Sequence, residues 1–297
     1  MVSAFASRRA LGRVADVFHR GTKSSSSSAP LGFRGMKPPA SSWASANSFS
    51  ATPVVADPPG VGLFEFRVTS VHPKSFQSFT DACVSHAATR RRVEPGFLGS
   101  WRTNVGGDLF ELVEMIHHKC NDSRDSALAT MQKDPAWRVF TELTAPMLQK
   151  QSSEMFLPAV KCLEVAGGET DAMLRIKNLS TAPAKTPPGV FELRTYQLEL
   201  GYNPIPKLIE LMAHGLPSKL ASDQKKKGTL VGMFFSDVGR LNRFVEIWRY
   251  ETNADHILVR EAARGASKWR ETIGQIAPMV QMFDTKLCVP TEFSPIQ

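Results

Sequence analysis

The segments GLFEFRVTSV (residues 62–71) and GVFELRTYQL (residues 189–198) are near copies, with Glu and Arg at matching places. Each alternates apolar and polar residues, the period of a half-buried strand. The copying extends well beyond them. Phe64-Glu65-Phe66-Arg67 lies on Phe191-Glu192-Leu193-Arg194 at a shift of 127. At a constant shift of 132, Gly96 meets Gly228, Leu98 meets Leu230 and Gly107 meets Gly239. Val113-Glu114 then meets Val245-Glu246, Trp137 meets Trp269 and Pro146 meets Pro278. The second copy therefore holds five extra residues between its first strand and Gly228. Cys162 and Cys288 read as closing the two copies. A unit of about a hundred residues is a common domain size. The expected organisation is a leader at 1–57, a first unit at 58–163, a linker at 164–189 and a second unit at 190–297. The linker holds GGETD and the Pro-rich STAPAKTPPG, with MLRIKNL able to form a short strand or helix.

Both units predict the same element order. In the first, a strand over 63–71 precedes a helix opened by Pro73, with Phe76, Phe79 and Cys83 on one face. Two strands at 96–103 and 108–117 flank the hairpin signal NVGG, helices follow at 121–134 and 135–149, and a last strand covers 153–163. In the second, a strand over 190–199, a helix from Pro204, strands at 228–236 and 241–250, helices at 254–264 and 267–277, and a strand at 279–289 repeat the pattern. The order is βαββαβ, an α+β, ferredoxin-like unit. One such sheet leaves a face bare, and a large bare apolar face is avoided in soluble proteins. Two copies in one chain solve this by covering each other.

The formal charge of +8 is unevenly placed. Residues 1–56 hold seven basic side chains against Asp16 alone, a net of +6, so the other 241 residues carry only +2. A near-neutral body argues against nucleic acid as a partner. The leader, with twelve serines and Leu11, Val14 and Phe18 at helical spacing, reads as an organelle transit peptide. The expected home is the mitochondrion, the matrix first, with a plastid as the alternative address. No apolar run reaches the eighteen or so residues of a membrane-spanning helix, which leaves peripheral membrane contact, through Lys225–Lys227 for example, as the weaker reading of that run. The four cysteines are scattered with no CxxC pair, as free thiols in a reducing compartment would be.

VFELRTYQL, GMFFSDVGRLNRFVEIWRYE and the closing VPTEFSPIQ resemble the NIPSNAP family, most strongly over 189–297 and less over 61–163. The resemblance implies a dimeric α/β-barrel fold, here made by tandem units within one chain, and a mitochondrial protein. It also implies association with other proteins, of identity the sequence does not give, and a role in mitochondrial quality control such as mitophagy. The long leader and the stretch GLPSKLASDQKKKG depart from the family pattern.

Strand parity sorts the candidate site residues. Phe64 and Phe66 oppose Glu65 and Arg67, and Phe191 and Leu193 oppose Glu192, Arg194 and Tyr196. Val113 and Met115 oppose Glu114, and Val245 and Ile247 oppose Glu246 and Trp248. The aliphatic faces are expected under the helices and the charged faces between the sheets. First and third strands are neighbours in a ferredoxin-like sheet, so Arg67 should pair with Glu114 and Arg194 with Glu246. Buried ions need partners, so a structural ion pair in each half outweighs the alternative, a ligand pocket of Arg194, Tyr196, Glu246 and Trp248 between the sheets. Members of the wider barrel group also include cofactor-free monooxygenases and haem enzymes, which makes His86 and His214, on the two first helices, candidate ligands. HHKC (117–120) lacks the further ligands that a metal site needs. There is no Walker motif, GxGxxG after a strand, HExxH or GxSxG. Neither a cofactor nor a metal nor a catalytic residue is assigned.

Two function classes remain. The first is a mitochondrial interaction or scaffold module, free to assemble further with copies of itself. The second is a small-molecule enzyme or haem binder that uses an inter-sheet cavity. If the leader is an import signal, mass spectrometry of the endogenous protein will find a shortened N-terminus close to residue 57; an intact Met1 on organellar protein contradicts it.

Overall fold

A computed structural model describes residues 62–167, Ile176 and residues 188–297. The expected leader, and the stretch 173–179 apart from Ile176, lie outside the described residues. The first half runs β1 (Leu63–Val71), α1 (Phe76–Ser85), α2 (Ala87–Val93), β2 (Phe97–Val105), β3 (Glu111–His118), α3 (Asn121–Lys133), α4 (Pro135–Thr144) and β4 (Leu148–Pro158), followed by α5 (Val160–Val165). The second runs β5 (Val190–Leu198), α6 (Pro204–Ser222), β6 (Gly228–Val238), β7 (Arg243–Tyr250), α7 (Asn253–Gly265), α8 (Ser267–Ile276) and β8 (Val280–Pro290). Both halves are βαββαβ, as the repeat predicts.

The end of the first half differs from the expected 153–163 strand. Helix α4 stops at Thr144, and Ala145–Met147 is a short 3-10 turn. Pro146 has no N–H with which to continue an α-helix. The same Ala-Pro-Met turn recurs at Ala277–Met279, 132 residues on. The strand therefore begins at Leu148, and Phe156 rather than Cys162 stands where Cys288 stands in the second half. Phe156 lies opposite Phe64, and Cys288 opposite Phe191. Cys162 is buried in α5.

All eight strands form one closed antiparallel barrel in the order β1-β3-β2-β8-β5-β7-β6-β4, returning to β1. Each half contributes four strands in its own order, β4-β1-β3-β2 or β8-β5-β7-β6, and the halves meet strand to strand. Trp101–Val105 of β2 pairs with Leu287–Pro290 of β8, and Met155–Pro158 of β4 with Phe234–Val238 of β6. Closure removes the sheet edges that an open four-stranded unit would expose. The expected tandem dimeric α/β-barrel is thus present, with the sheets joined at their edges around a common interior.

That interior is aromatic. Phe64, Phe66 and Phe156 of one half join Phe191, Leu193 and Phe234 of the other in one buried cluster. Ring centroids lie 4.8 Å apart for Phe64–Phe234, 5.3 Å for Phe66–Phe234 and 5.2 Å for Trp101–Phe191. Such tilted and edge contacts suit aromatic quadrupoles. Gly99 and Gly232 make room: each sits two residues before an aromatic on its own strand, at a register shift, and that ring folds back over it. A Cβ on Gly99 would lie 2.6 Å from the Trp101 ring, well inside contact distance.

The facing of the strands is therefore the reverse of the expectation. Phe64, Phe66, Phe191 and Leu193 point into the barrel, and the Glu/Arg faces lie beneath the helices. A second apolar cluster shows the helix side directly, with Phe79 and Cys83 of α1 and Phe140 of α4 on Leu112 and Ile116 of β3. A closed interior offers a charge neither water nor a flexible counter-ion, whereas a helix layer can supply long basic side chains.

Truncating Phe234 to Ala empties the centre of the barrel and should cost about 3–5 kcal/mol. Leu258→Ala, on a residue 58% exposed, should cost less than about 0.5 kcal/mol. Chemical denaturation of the two variants checks the difference.

Candidate ligand site beneath the helices

The registers place Arg67 opposite Glu114 and Arg194 opposite Glu246, as predicted. What the charged groups touch differs between the halves.

In the first half the network is self-contained. Arg90 of α2 grips the Glu114 carboxylate with two hydrogen bonds of 2.5 and 2.9 Å. It also reaches Glu94, four residues on, at 3.0 Å. Arg67 donates to Glu65 at 3.0 Å and to Glu94 at 3.1 Å, with Glu114 further off at 4.0 Å. Glu65 also accepts from Arg124 of α3 at 2.9 Å and from Ser153 at 2.8 Å, and His118 Nε2 lies 3.2 Å away. Three arginines thus face three glutamates. Burial pushes the Glu65 and Glu114 carboxyls up, but the His118 bond, Arg67, Ser153 and Arg124 outweigh it at Glu65, and Arg90 and Arg67 outweigh it at Glu114, holding both below their ordinary range. The cavity beside this network is about 410 Å³, with Leu128, Met131 and Trp137 among its walls.

In the second half the same strand positions carry different partners. Glu246 accepts from Tyr196 Oη at 2.6 Å, Trp248 Nε1 at 2.7 Å and Lys219 Nζ of α6 at 3.2 Å. Tyr196, Glu246 and Trp248 thus meet, but beneath helix α6 and not between the sheets as expected. Lys219 Nζ stands 3.9 Å from the Trp248 ring centroid and 4.8 Å from that of Trp269, a cation–π arrangement. Burial lowers the Lys219 amine to about 8 against the pull of Glu246. Burial raises Glu246, and Lys219, Arg194 and the Tyr196 and Trp248 bonds overcome it, bringing the carboxyl to about 2. Beside it, Glu192 accepts from Tyr250 at 3.0 Å, with His256 at 3.3 Å and Arg260 at 3.7 Å.

Arg194 is the exception. The expected Arg194–Glu246 ion pair is absent: the guanidinium forms no hydrogen bond or ion pair with a described residue, and its buried Nε has no acceptor. It lies 5.0 Å from the centre of the Phe283 ring. Asp223 follows Lys219 by four residues, as Glu94 follows Arg90, but its shorter side chain accepts from the Gly228 N–H at 2.7 Å. Among the described residues, three cations, Arg194, Lys219 and Arg260, thus face two carboxylates, Glu192 and Glu246. Arg194 and Ile273 line two cavities. One, of about 160 Å³, includes Lys219, Tyr250, Arg260 and Trp269; the other, of about 310 Å³, includes Tyr196, Ile276, Val280, Met282 and Phe283.

The candidate histidines do not reach these cavities. His86 caps the junction of α1 and α2, its Nδ1 2.9 Å from the Ala82 carbonyl oxygen and its ring on Phe140. His214 lies on the exposed face of α6. Among the described residues no group of three or more His, Cys, Asp or Glu side chains could hold a metal ion. Parity alone missed Arg90, Lys219 and Glu94. Their signal was the pair Arg90/Glu94 and Lys219/Asp223, basic then acidic at i, i+4 just before the second strand of each half.

Two outcomes follow from these networks. Arg90→Ala leaves Glu114 buried with only the distant Arg67 and should cost about 3–5 kcal/mol. For Glu246 the folded carboxyl at about 2 lies below the ordinary 4.5, so its contribution is complete above pH 4.5 and is lost as pH falls towards 2. The acid side of the stability–pH curve should flatten in Glu246→Gln, read from denaturation midpoints between pH 2 and 5.

The comparisons with known proteins agree with this architecture. The NIPSNAP family model matches residues 191–295. The Caenorhabditis elegans "putative NipSnap protein" is 22% identical over 241 residues, covering 79% of this chain and 41% of its own length. The Drosophila melanogaster Protein NipSnap is 29% identical over 114 residues, 38% of this chain and 39% of that protein. The chain thus spans less than half the length of these two relatives. The human Protein NipSnap homolog 2 is 26% identical over 238 residues, 79% of this chain and 75% of that protein. Among solved structures, a "putative monooxygenase" from Fusobacterium nucleatum has a TM-score of 0.54 at 10% identity, covering 78% of this chain and 94% of its own. One from Lactobacillus acidophilus scores 0.51 at 13% identity over the same shares; at these identities the likeness is one of fold. The motif strands, the repeated unit, the closed barrel and the family match converge: the second half of this chain, over residues 191–295, is similar to the NIPSNAP family, and the chain resembles NipSnap proteins at 22–29% identity.

Proposed function

We propose that this protein binds a small anionic molecule in its second half, beneath α7 and α8, while the first half is the structural counterpart. The observation that carries the reading is that the Arg194 guanidinium, among the described residues, makes no hydrogen bond or ion pair and has only the Phe283 ring within contact. A half-buried guanidinium with no hydrogen-bonded carboxylate gives up the strong, charge-assisted bonds it could make, and the equivalent Arg67 has two close carboxylates. A cost retained at a cavity wall marks a place where function outweighs stability. The barrel interior is filled by aromatic rings, so the cavity lies between sheet and helices and not between the sheets. Neither His86 nor His214 lines it, and haem ligation by them has no support in this geometry. The leader's composition and the family resemblance favour a mitochondrial address. Among the described residues no helix is long and apolar enough to cross a membrane.

The test compares matched variants without added ligand. Removing the unpaired charge in Arg194→Met should leave the denaturation midpoint unchanged or raise it, whereas Arg67→Met should lower it markedly. Native mass spectrometry of the purified protein should find a bound small molecule in wild type that is missing from Arg194→Met. Equal destabilisation by both variants assigns Arg194 a structural role and removes the reading.

A second reading, an interaction module with a part in mitochondrial quality control, draws on the loop after β5. There Leu200 is 86% exposed and Tyr202 99% exposed, and such exposed aromatic groups are common anchors at protein interfaces. If they bind a partner, Leu200→Ser/Tyr202→Ser should lose proteins that co-purify with wild type from mitochondria while keeping its fold. Identical co-purification profiles remove this reading.

A further inference from the structure

We propose that the ligand is an amphipathic monocarboxylic acid, a medium-chain or aryl-alkyl acid. Its carboxylate takes beside Arg194 the seat that Glu94 fills beside Arg67, and its apolar body lies along α8 and β8. The inference rests on the reading of Arg194 as an anion anchor and adds the chemistry of the whole ligand.

Three observations carry it. The first is the count of charges. The two halves use equivalent strand positions and equivalent helical bases, and they differ by one carboxylate. In the first half Glu94 bridges Arg67 and Arg90 at 3.1 and 3.0 Å. In the second, Asp223 is committed to the Gly228 N–H, and Arg194 is left without a hydrogen bond or ion pair among the described residues. The missing group is a single carboxylate. A doubly charged phosphate would bring excess negative charge towards Glu192 and Glu246.

The second is the division of the site. On one side of Arg194 the smaller cavity carries basic groups, Lys219, Arg260 and Arg264, with Tyr250, on otherwise apolar walls. On the other, the larger cavity offers Ile273, Ile276, Val280, Met282 and Phe283, and among the described residues Arg194 is the one charged side chain in its lining. A ligand with a charged head and an apolar body matches this division. At about 310 Å³ the apolar cavity sits at the small end of ligand pockets, so the body is of medium size.

The third is the mouth. Met282 is 46% exposed and Phe283 43% exposed on β8. That part of the strand has β5 on one side, while its pairing with β2 is confined to Leu287–Pro290. An apolar ligand body would cover these side chains.

Titration calorimetry on the full processed chain tests the proposal with octanoate, octanamide and acetate as probes. Octanoate should bind saturably. Octanamide, with the same body and no charge, and acetate, with the charge and no body, should each bind at least about tenfold more weakly. Asp223→Glu restores the length of Glu94, fills the seat from within and should weaken octanoate about tenfold with the circular dichroism spectrum unchanged. Should that variant lose the Gly228 contact and unfold, Arg194→Met provides the same loss of octanoate binding by removing the anchor. If acetate binds as tightly as octanoate, the anchor stands and the amphipathic ligand is overturned. If octanamide matches octanoate, or folded Asp223→Glu and Arg194→Met both bind octanoate like wild type, the carboxylate seat is overturned. If none of the probes binds saturably, this ligand class is overturned, while the stability comparison of Arg194→Met with Arg67→Met still judges the anchor separately.

Discussion

Closure of the eight strands is the constraint on which the rest of the structure depends. Once β2 meets β8 and β4 meets β6, every strand has an enclosed face and a face towards the helices. The enclosed face has no route to water, so it takes Phe64, Phe66, Trp101, Phe156, Phe191 and Phe234. The helix face is then the place where Glu65, Glu114, Glu192 and Glu246 can be buried, because α2, α3, α6 and α7 bring Arg90, Arg124, Lys219 and Arg260 onto them. Bidentate pairing of Arg90 with Glu114 holds helix to sheet by a bond with fixed geometry. Lys219 does the corresponding work in the second half as a point charge, held by two tryptophan rings and one carboxylate.

The repeat, the strand order and the opposed pairs Arg67/Glu114 and Arg194/Glu246 were legible in the sequence because β-strand periodicity and chain copying are local signals. Which face points inward was not. Alternation separates Phe64 from Glu65 but is blind to where the helices sit, and a charged face suits a polar cleft as readily as a helix-covered surface. The true facing depends on whether two sheets stack or join at their edges, a property of the closed assembly. The copy itself corrected the strand boundary at the end of the first half. Ala145-Pro146-Met147 and Ala277-Pro278-Met279 are the same turn, and a strand beginning just after one had to begin just after the other.

The unpaired state of Arg194 was beyond parity arguments for another reason. Both arginines face a glutamate in register, and from sequence alone both are paired. The difference lies in whether the acid after α2 or α6 can reach across the helix-to-sheet gap. Glu94 has the length, whereas Asp223 has the closer Gly228 N–H. The acid after the helix thus serves the ion network in one half and a backbone N–H in the other, and the contrast appears at Arg194, 29 positions before Asp223 in the chain.

Joining the two units in one polypeptide makes that asymmetry permissible. In a barrel assembled from two identical chains, any shortening of the acid beside the arginine would be inherited by both sites, and the molecule would carry two uncompensated charges. With the units covalently linked, the gene writes each half separately. One copy can keep a neutral, hydrogen-bonded layer that secures the shared barrel, while the other drifts away from neutrality. The β2–β8 and β4–β6 pairings then tie two differently charged halves into a single closed barrel.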